Sequence, residues 1–258
     1  MRITKIEKKK RLYLLELDGK ESLYITEDTI VRFMLSKDKE ITENELQEIR
    51  DFAQFSYGKN IALYFLSFKQ RTKKEVLDYL KKYEIKEANA VKIITALEEE
   101  RWIDDKSYVE TYVRQNGLNG DKGPALIRQK LITKGISKSV IDSCLVEVDF
   151  SNLIEKVAEK LLRKYQDKLP IRALQDKIVQ GLMNKGFTYD LARKTVGQLD
   201  ISADDNMEAD LISKELEKLY RKYSRKYDGY ELKQRLIHAL ARKGFEFDQI
   251  QAVLRNYL

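Results

Sequence analysis

The chain has 258 residues, of which 43% are hydrophobic and 35% are charged, so it can build a core beneath an unusually polar surface. Lys and Arg outnumber Asp and Glu by 49 to 42, and the resulting net charge of +7 suits an anionic partner without proving one. Only two prolines and eleven glycines interrupt the sequence. This scarcity of helix breakers favours a mostly helical protein.

The cysteine and histidine content excludes both a fold stabilised by disulfide bonds and one built around a Cys/His zinc site. Cys144 and His238 are the single members of their types, so no disulfide framework and no Cys/His zinc site can be assembled. The absence of long apolar runs argues against a signal sequence or a membrane span. We therefore expect a cytoplasmic protein with no cofactor, no metal and no membrane association.

The first 41 residues are predicted to form a small β-hairpin segment followed by a short helix. Two β-prone runs flank Asp18-Gly19, a dipeptide that favours a hairpin turn. The helix is predicted to begin at about Thr26, and its apolar face would consist of Ile30, Phe33 and Met34.

From about Thr42 onward, apolar residues recur at helical spacing. A Lys-Gly-hydrophobe step occurs at 134–136, 185–187 and 243–245, and Tyr83-Glu84-Ile85 occupies the equivalent place earlier in the chain. This spacing predicts four units, each with a longer helix, a helix ending at the step and a shorter third helix. The predicted fold class is all-α, with tandem repeats of three-helix units in an elongated, curved array after the hairpin segment. The predicted boundaries are 1–41 for the N-terminal segment and 42–100, 101–149, 150–200 and 201–258 for the repeats.

The glycine of this step is interpreted as a helix stop. Glycine adopts the left-handed conformation that often follows the last helical residue, and the lysine beside it complements the helix dipole. A phosphate-binding loop would instead place its glycines before a helix and after a strand. Other local signals are also structural: Thr72 and Glu75 form a capping-box pattern, and Asp104 or Asp105 can cap the following helix.

Four short steps resemble the core of the RecX family of recombinase regulators. They are Arg71-Thr72, Ile103-Asp104-Asp105 followed by Tyr108, Lys122-Gly123-Pro124 and Lys134-Gly135-Ile136. The specific match spans about 67–137, and the repeats extend it to the C-terminus, as in the longer form typical of Gram-positive bacteria. The sequence departs from the family pattern at Tyr83-Glu84-Ile85, where Lys-Gly-hydrophobe is common, and at Thr72, where Ser is usual. Both departures keep the helix-boundary chemistry.

The resemblance implies a regulatory protein, not an enzyme, which binds RecA filaments on single-stranded DNA. It further implies inhibition of the recombinase and coprotease activities, in DNA repair and control of the SOS response. We expect a monomer whose DNA contacts are to phosphate and independent of sequence. Two alternatives stay open: a sequence-independent single-stranded DNA-binding protein with no recombinase partner, and a helical-repeat scaffold for another protein.

Candidate contacts for such a partner are the basic residues of the repeats. Residues 217–243 contain nine Lys or Arg and three Asp or Glu. Helical spacing places three tyrosines (Tyr220, Tyr223 and Tyr227) against the core and the neighbouring cations on the opposite face. Equivalent positions on the glycine-terminated helices would form a discontinuous basic stripe if the repeats stack regularly. The candidate partner- and DNA-binding residues are Arg128, Lys130, Lys134, Lys185, Arg221, Lys222, Arg225, Lys226, Arg235, Arg242 and Lys243.

Overall fold

The computed structural model describes residues 1–201 and 205–257, and the elements within them confirm the tandem three-helix plan. The N-terminal segment contains β1 (Ile3–Lys9), β2 (Leu12–Leu17), β3 (Glu21–Ile25) and α1 (Glu27–Phe33). Helices then follow in four triplets. The first two are α2 (Glu43–Ser67), α3 (Lys73–Lys82), α4 (Glu87–Glu99), and α5 (Asp105–Asn119), α6 (Pro124–Thr133), α7 (Lys138–Val146). The last two are α8 (Ser151–Tyr165), α9 (Ile171–Asn184), α10 (Tyr189–Gln198), and α11 (Asp205–Tyr223), α12 (Gly229–Arg242), α13 (Phe247–Tyr257).

The chain divides into two compact bodies. The first body comprises residues 1–113 and 128–146, and the second comprises 114–127 and 147–258. No helix in the part of the chain that the structure describes is long and apolar enough to cross a membrane.

The N-terminal strands form an antiparallel sheet in the order β1-β2-β3. The predicted hairpin around Asp18-Gly19 is confirmed, with both residues at positive φ (53° and 68°) between β2 and β3. Strand β1 is an addition that the sequence reasoning missed. Apolar residues from this sheet and from the first half of α2 share one buried cluster, which includes Ile3, Leu15, Leu17, Ile25, Leu46 and Ile49.

Helix α1 begins as predicted, after Thr26, whose Oγ1 accepts a hydrogen bond from Thr29 N at 3.3 Å. The prediction that Met34 shares its apolar face is wrong. Met34 is the C-cap, with φ of 47° and a side chain that is 82% exposed. Because the chain leaves the helix at this residue, Leu35 takes the buried position instead.

Each Lys-Gly-hydrophobe step ends the second helix of its triplet, as predicted. Gly135, Gly186 and Gly244 have φ values of 85°, 89° and 96°. The hydrophobe after each glycine donates its N–H to the carbonyl five residues earlier, for example Ile136 N to Leu131 O at 3.2 Å. This is the Schellman arrangement, in which glycine occupies the left-handed position. In the first triplet Glu84 holds that position, with φ of 57°.

These glycines also allow a close approach between successive triplets. A Cβ added to Gly135 would lie 2.5 Å from the Lys74 side chain, in the first turn of α3. A Cβ on Gly186 would lie 2.6 Å from Leu126 N, in the first turn of α6, and one on Gly244 would lie 2.9 Å from Ala173, in the first turn of α9. In each case the end of a second helix packs on the start of the preceding second helix, inside one compact body. The repeated glycine is therefore both a helix stop and a spacer.

Candidate partner-binding surface

The most basic segment, residues 217–243, lies in the last triplet. The three tyrosines predicted to face the core do so: Tyr220, Tyr223 and Tyr227 pack against the buried cluster of α11, α12 and α13. The assumption of a continuous helix through this segment is wrong, because α11 ends at Tyr223. Its carbonyl accepts hydrogen bonds from the N–H groups of Lys226 and Tyr227 at 2.9 and 3.0 Å. The basic residues after Tyr223 therefore lie in a turn and not on a helical face.

The cations of this segment are exposed around the end of α11. Arg221 and Lys222 stand in its last turn, whereas Arg225 and Lys226 follow in the turn before α12. Arg221 lies 3.8 Å from Glu217, a weak surface pairing. Among the described residues, Lys222, Arg225 and Lys226 form no ion pair with a carboxylate. Their charges are therefore free to meet an anion.

Two further candidates, Arg235 and Arg242, line one shallow depression of about 280 Å³ on α12. The Arg235 guanidinium lies 3.8 Å from the centre of the Tyr227 ring and pairs with Glu231 at 2.9 Å. The hydrogen bonds that Arg235 donates to Glu231 raise the pKa of Arg235. Arg242 Nε donates to His238 O at 3.2 Å. Glu231 also lines this depression and its carboxylate offsets the charge of Arg235, so the part of both arginines in partner binding stays a prediction.

The lysines of the Lys-Gly steps are all paired with carboxylates. Lys134 Nζ donates to Glu75 Oε1 at 2.7 Å, and this hydrogen bond raises the pKa of the lysine. Lys185 pairs with Asp121, and its hydrogen bond lowers the pKa of that carboxyl group. Lys243 pairs at 2.9 Å with Glu215, a residue of its own triplet. Lys134 and Lys185 instead pair with carboxylates of the preceding triplet. Equivalent lysines therefore differ in surroundings, and their part in partner binding stays a prediction.

Arg128 and Lys130 lie on α6. Arg128 Nε pairs with Asp142 at 2.6 Å. Lys130 is exposed, with its ammonium group 5.4 Å from the centre of the Tyr112 ring. The structure thus brings Arg128, Lys130 and Lys134 into the first compact body, and the other candidates into the second.

The carboxylates and the cysteine singled out in the sequence have structural positions. Asp104 Oδ1 accepts the N–H of Ser107 at 3.0 Å, as an N-cap does, and Asp105 Oδ1 accepts the N–H of Lys73 at 2.9 Å. Burial raises the pKa of Asp105. Cys144 is buried in α7. Asp104 therefore caps the following helix, as predicted, whereas Asp105 binds the first residue of α3.

Fold and surface together define a tandem three-helix repeat protein with an exposed cation-rich final triplet. Family models for RecX match the chain in order: the first three-helix domain at 59–97, the second at 104–145, and the third at both 147–196 and 207–254. The double match of the third model accounts for the fourth triplet. Regulatory protein RecX from Streptococcus pyogenes serotype M1 is 60% identical over the full length of both chains, and that from Streptococcus sanguinis is 58% identical over the same span.

Two solved structures are also similar. A crystal structure of regulatory protein RecX covers 76% of this chain and 99% of its own, with 33% identity and a TM-score of 0.64. That of RecX from Lactobacillus salivarius covers 58% of this chain and 98% of its own, with 36% identity and a TM-score of 0.55. The chain belongs to the RecX family, as the resemblance in its sequence indicated. The name of these relatives supports a regulatory role.

Proposed function

We propose that this protein binds RecA filaments on single-stranded DNA and restrains recombinase and coprotease activity, in DNA repair and control of the SOS response. The observation that carries the proposal is the 60% identity, over the whole of both chains, to a protein named for regulation. The resemblance of the sequence to recombinase regulators supplies the partner. The protein acts in the cytoplasm as a monomer, by binding and without chemistry on the DNA.

The exposed cations of the final triplet support an anionic partner. Four exposed cations carry charge that few carboxylates of the chain neutralise: Arg221, Lys222, Arg225 and Lys226. Such residues bind phosphates without recognising the base sequence. Four successive triplets offer several separate contact sites along a polymer. Weak contacts on one chain reinforce each other, since each bound site raises the effective concentration of the next.

A binding comparison tests the proposal. Labelled protein is titrated with recombinase filaments held on single-stranded DNA by a non-hydrolysable nucleotide, with recombinase alone, and with bare DNA of the same length. We expect the filament to bind at least tenfold more tightly than either component. Equal affinity for bare DNA would instead favour a sequence-independent DNA-binding protein, and no binding to any of the three would favour a scaffold for another protein.

A further inference from the structure

An exposed aromatic pair stands at the C-terminal end of α2. Tyr64 and Phe68 are 51% and 66% exposed, and their rings meet edge to face with centroids 4.9 Å apart. Core residues of α2 such as Ala62 and Leu66 occupy the opposite, buried positions. The pair is therefore not the packing stripe of this helix, and no described segment covers it.

A second group of rings continues this surface onto α3. Phe65 stacks on Tyr79 with centroids 4.1 Å apart and planes only 3° from parallel. Tyr79 OH donates to Tyr83 OH at 3.3 Å. That hydrogen bond, with smaller contributions that include the nearby Tyr64, raises the pKa of Tyr79 to about 12. Phe65 and Phe68 are three residues apart at the end of α2 and are therefore neighbours on its surface, so the stacking of Phe65 on Tyr79 joins the two groups of rings within the first compact body.

Cations border these rings. The Arg71 guanidinium lies 4.0 Å from the centre of the Phe65 ring, and Arg71 forms no ion pair with any described carboxylate. Its Nε is the one buried side-chain polar atom without a hydrogen-bond partner among the described residues. Arg11 lies 5.5 Å from the centre of the Tyr64 ring. It belongs, with Lys10, to the turn between β1 and β2, and Lys8 and Lys9 are the last residues of β1 just before it. Lys9 is paired with Glu7 at 2.6 Å.

This combination fits single-stranded nucleic acid better than an apolar protein surface. Unpaired bases present aromatic faces that stack on exposed rings, and the phosphates between them neutralise adjacent cations. An apolar protein partner would cover Arg11 and Arg71 without supplying an anion, and desolvating such charges is costly. Duplex DNA keeps its bases inside the stack, so it cannot use the rings.

We propose that Tyr64 and Phe68, with Arg11 and Arg71 beside them, form a stacking surface for unpaired bases of single-stranded nucleic acid. The surface adds base contacts to the phosphate contacts proposed for residues 221–226. Binding of bases to this surface does not require a recombinase, because the expected ligand is single-stranded nucleic acid alone. A failure here would therefore leave the proposed filament regulation untouched.

The test compares bases with phosphates. The full-length protein is titrated against a labelled 20-nucleotide oligothymidylate and against an abasic 20-mer with the same phosphates. We expect the double variant Tyr64→Ala/Phe68→Ala to lose roughly tenfold to a hundredfold in affinity for oligothymidylate, as removal of stacked rings does elsewhere, with unchanged affinity for the abasic strand. Tyr64→Phe keeps the ring and should bind as the unmodified protein does.

A matched control removes two rings of similar exposure elsewhere. Tyr189 and Phe247 begin α10 and α13 and are 54% and 56% exposed, so Tyr189→Ala/Phe247→Ala should leave both affinities unchanged. A second measurement uses tryptophan fluorescence. The variant Phe68→Trp/Trp102→Phe carries its single tryptophan in the proposed surface. Its fluorescence should be quenched by oligothymidylate and not by the abasic strand.

Two results would overturn the proposal. One is equal loss of affinity for both strands in the Tyr64→Ala/Phe68→Ala variant, and another is the absence of any loss. If the variant shows no such loss but binds recombinase filaments more weakly, this face is a protein-docking surface instead.

Discussion

Lys134 reaches back 59 residues to Glu75, with Nζ and Oε1 2.7 Å apart. Glu75 is also the closing residue of the α3 capping box, in which its Oε2 accepts the N–H of Thr72 at 3.0 Å. The Thr72 hydroxyl in turn donates to Lys134 O at 2.9 Å. The Lys-Gly step of the second triplet is therefore joined to the start of α3 by two hydrogen bonds, one that Lys134 Nζ donates to Glu75 and one that Lys134 O accepts from Thr72.

Thr72 is expected to be the most sensitive residue of this joint. Its side chain is fully buried, accepts the N–H of Glu75 at 3.3 Å and donates to Lys134 O. Thr72→Ala removes the cap and leaves a carbonyl without this donor, which should lower the free energy of unfolding by about 1–2 kcal/mol. Chemical denaturation measures the change. Thr72→Ser keeps the hydroxyl, so a loss as large as that of alanine would contradict this account.

Gly186 and Gly197 form a matched pair for testing the role of the Lys-Gly step. At Gly186, alanine would be held at φ of 89° and its Cβ would press on Leu126 N, so Gly186→Ala should cost about 2–5 kcal/mol. Gly197 lies within α10, with open space where the Cβ of an alanine would stand. Gly197→Ala should instead stabilise by about 0.5–1 kcal/mol, because alanine favours the helix. Thermal unfolding separates the two, and similar effects at both positions would be inconsistent with a left-handed, closely packed Gly186.

The pH dependence of stability should report on Glu75. Burial opposes ionisation of this carboxyl group, but the hydrogen bonds from Lys134 and Thr72 outweigh it and leave the pKa below its ordinary value. A lowered pKa in the folded state gives stability that is present above the unfolded pKa of about 4.3 and lost as the pH falls through the folded pKa.

Glu75→Gln removes that contribution. The difference in unfolding free energy between the unmodified protein and this variant should be constant from about pH 6 to 8 and should shrink below about pH 4.3. Denaturation at a series of pH values provides the measurement. A difference that grows on acidification would reverse the sign assigned to this group.

The sequence predicted local structure well and long-range contacts poorly. Gly135 and Thr72 were assigned correctly because helix stops and caps depend on residues within one turn. Strand β1 was missed because its lysine-rich pattern offers little alternation, and its pairing depends on β2. Helical spacing places Met34 and Tyr227 on the faces of α1 and α11, but these helices end before them, at Phe33 and Tyr223.

In the candidate surface, too, local features could be predicted from the sequence and long-range contacts could not. The core-facing tyrosines followed from helical spacing, since Tyr220 and Tyr223 both lie within α11. The carboxylate partners of Lys134 and Lys185 could not be predicted, because they lie 59 and 64 residues away in the chain. The exposed ring pair Tyr64 and Phe68 carries an i, i+4 spacing that sequence reasoning assigns equally well to a core stripe.

Charge reversal should locate the phosphate contacts. Changing Arg221, Lys222, Arg225 and Lys226 to Glu should weaken binding to recombinase filaments and flatten its salt dependence, because fewer counterions are released. The control changes the same number of exposed lysines to Glu elsewhere, at Lys20, Lys37, Lys92 and Lys194. Affinity measured from about 50 to 200 mM salt compares them. Identical behaviour of the two variants would remove residues 221–226 from the interface.

The most direct test of filament regulation is recombinase-driven strand exchange and ATP turnover, measured with increasing amounts of this protein. If contacts along four triplets act on an assembled filament, both activities should fall at well below one protein per recombinase protomer. Undiminished activity at that ratio, together with tight binding to bare single-stranded DNA, would contradict the account.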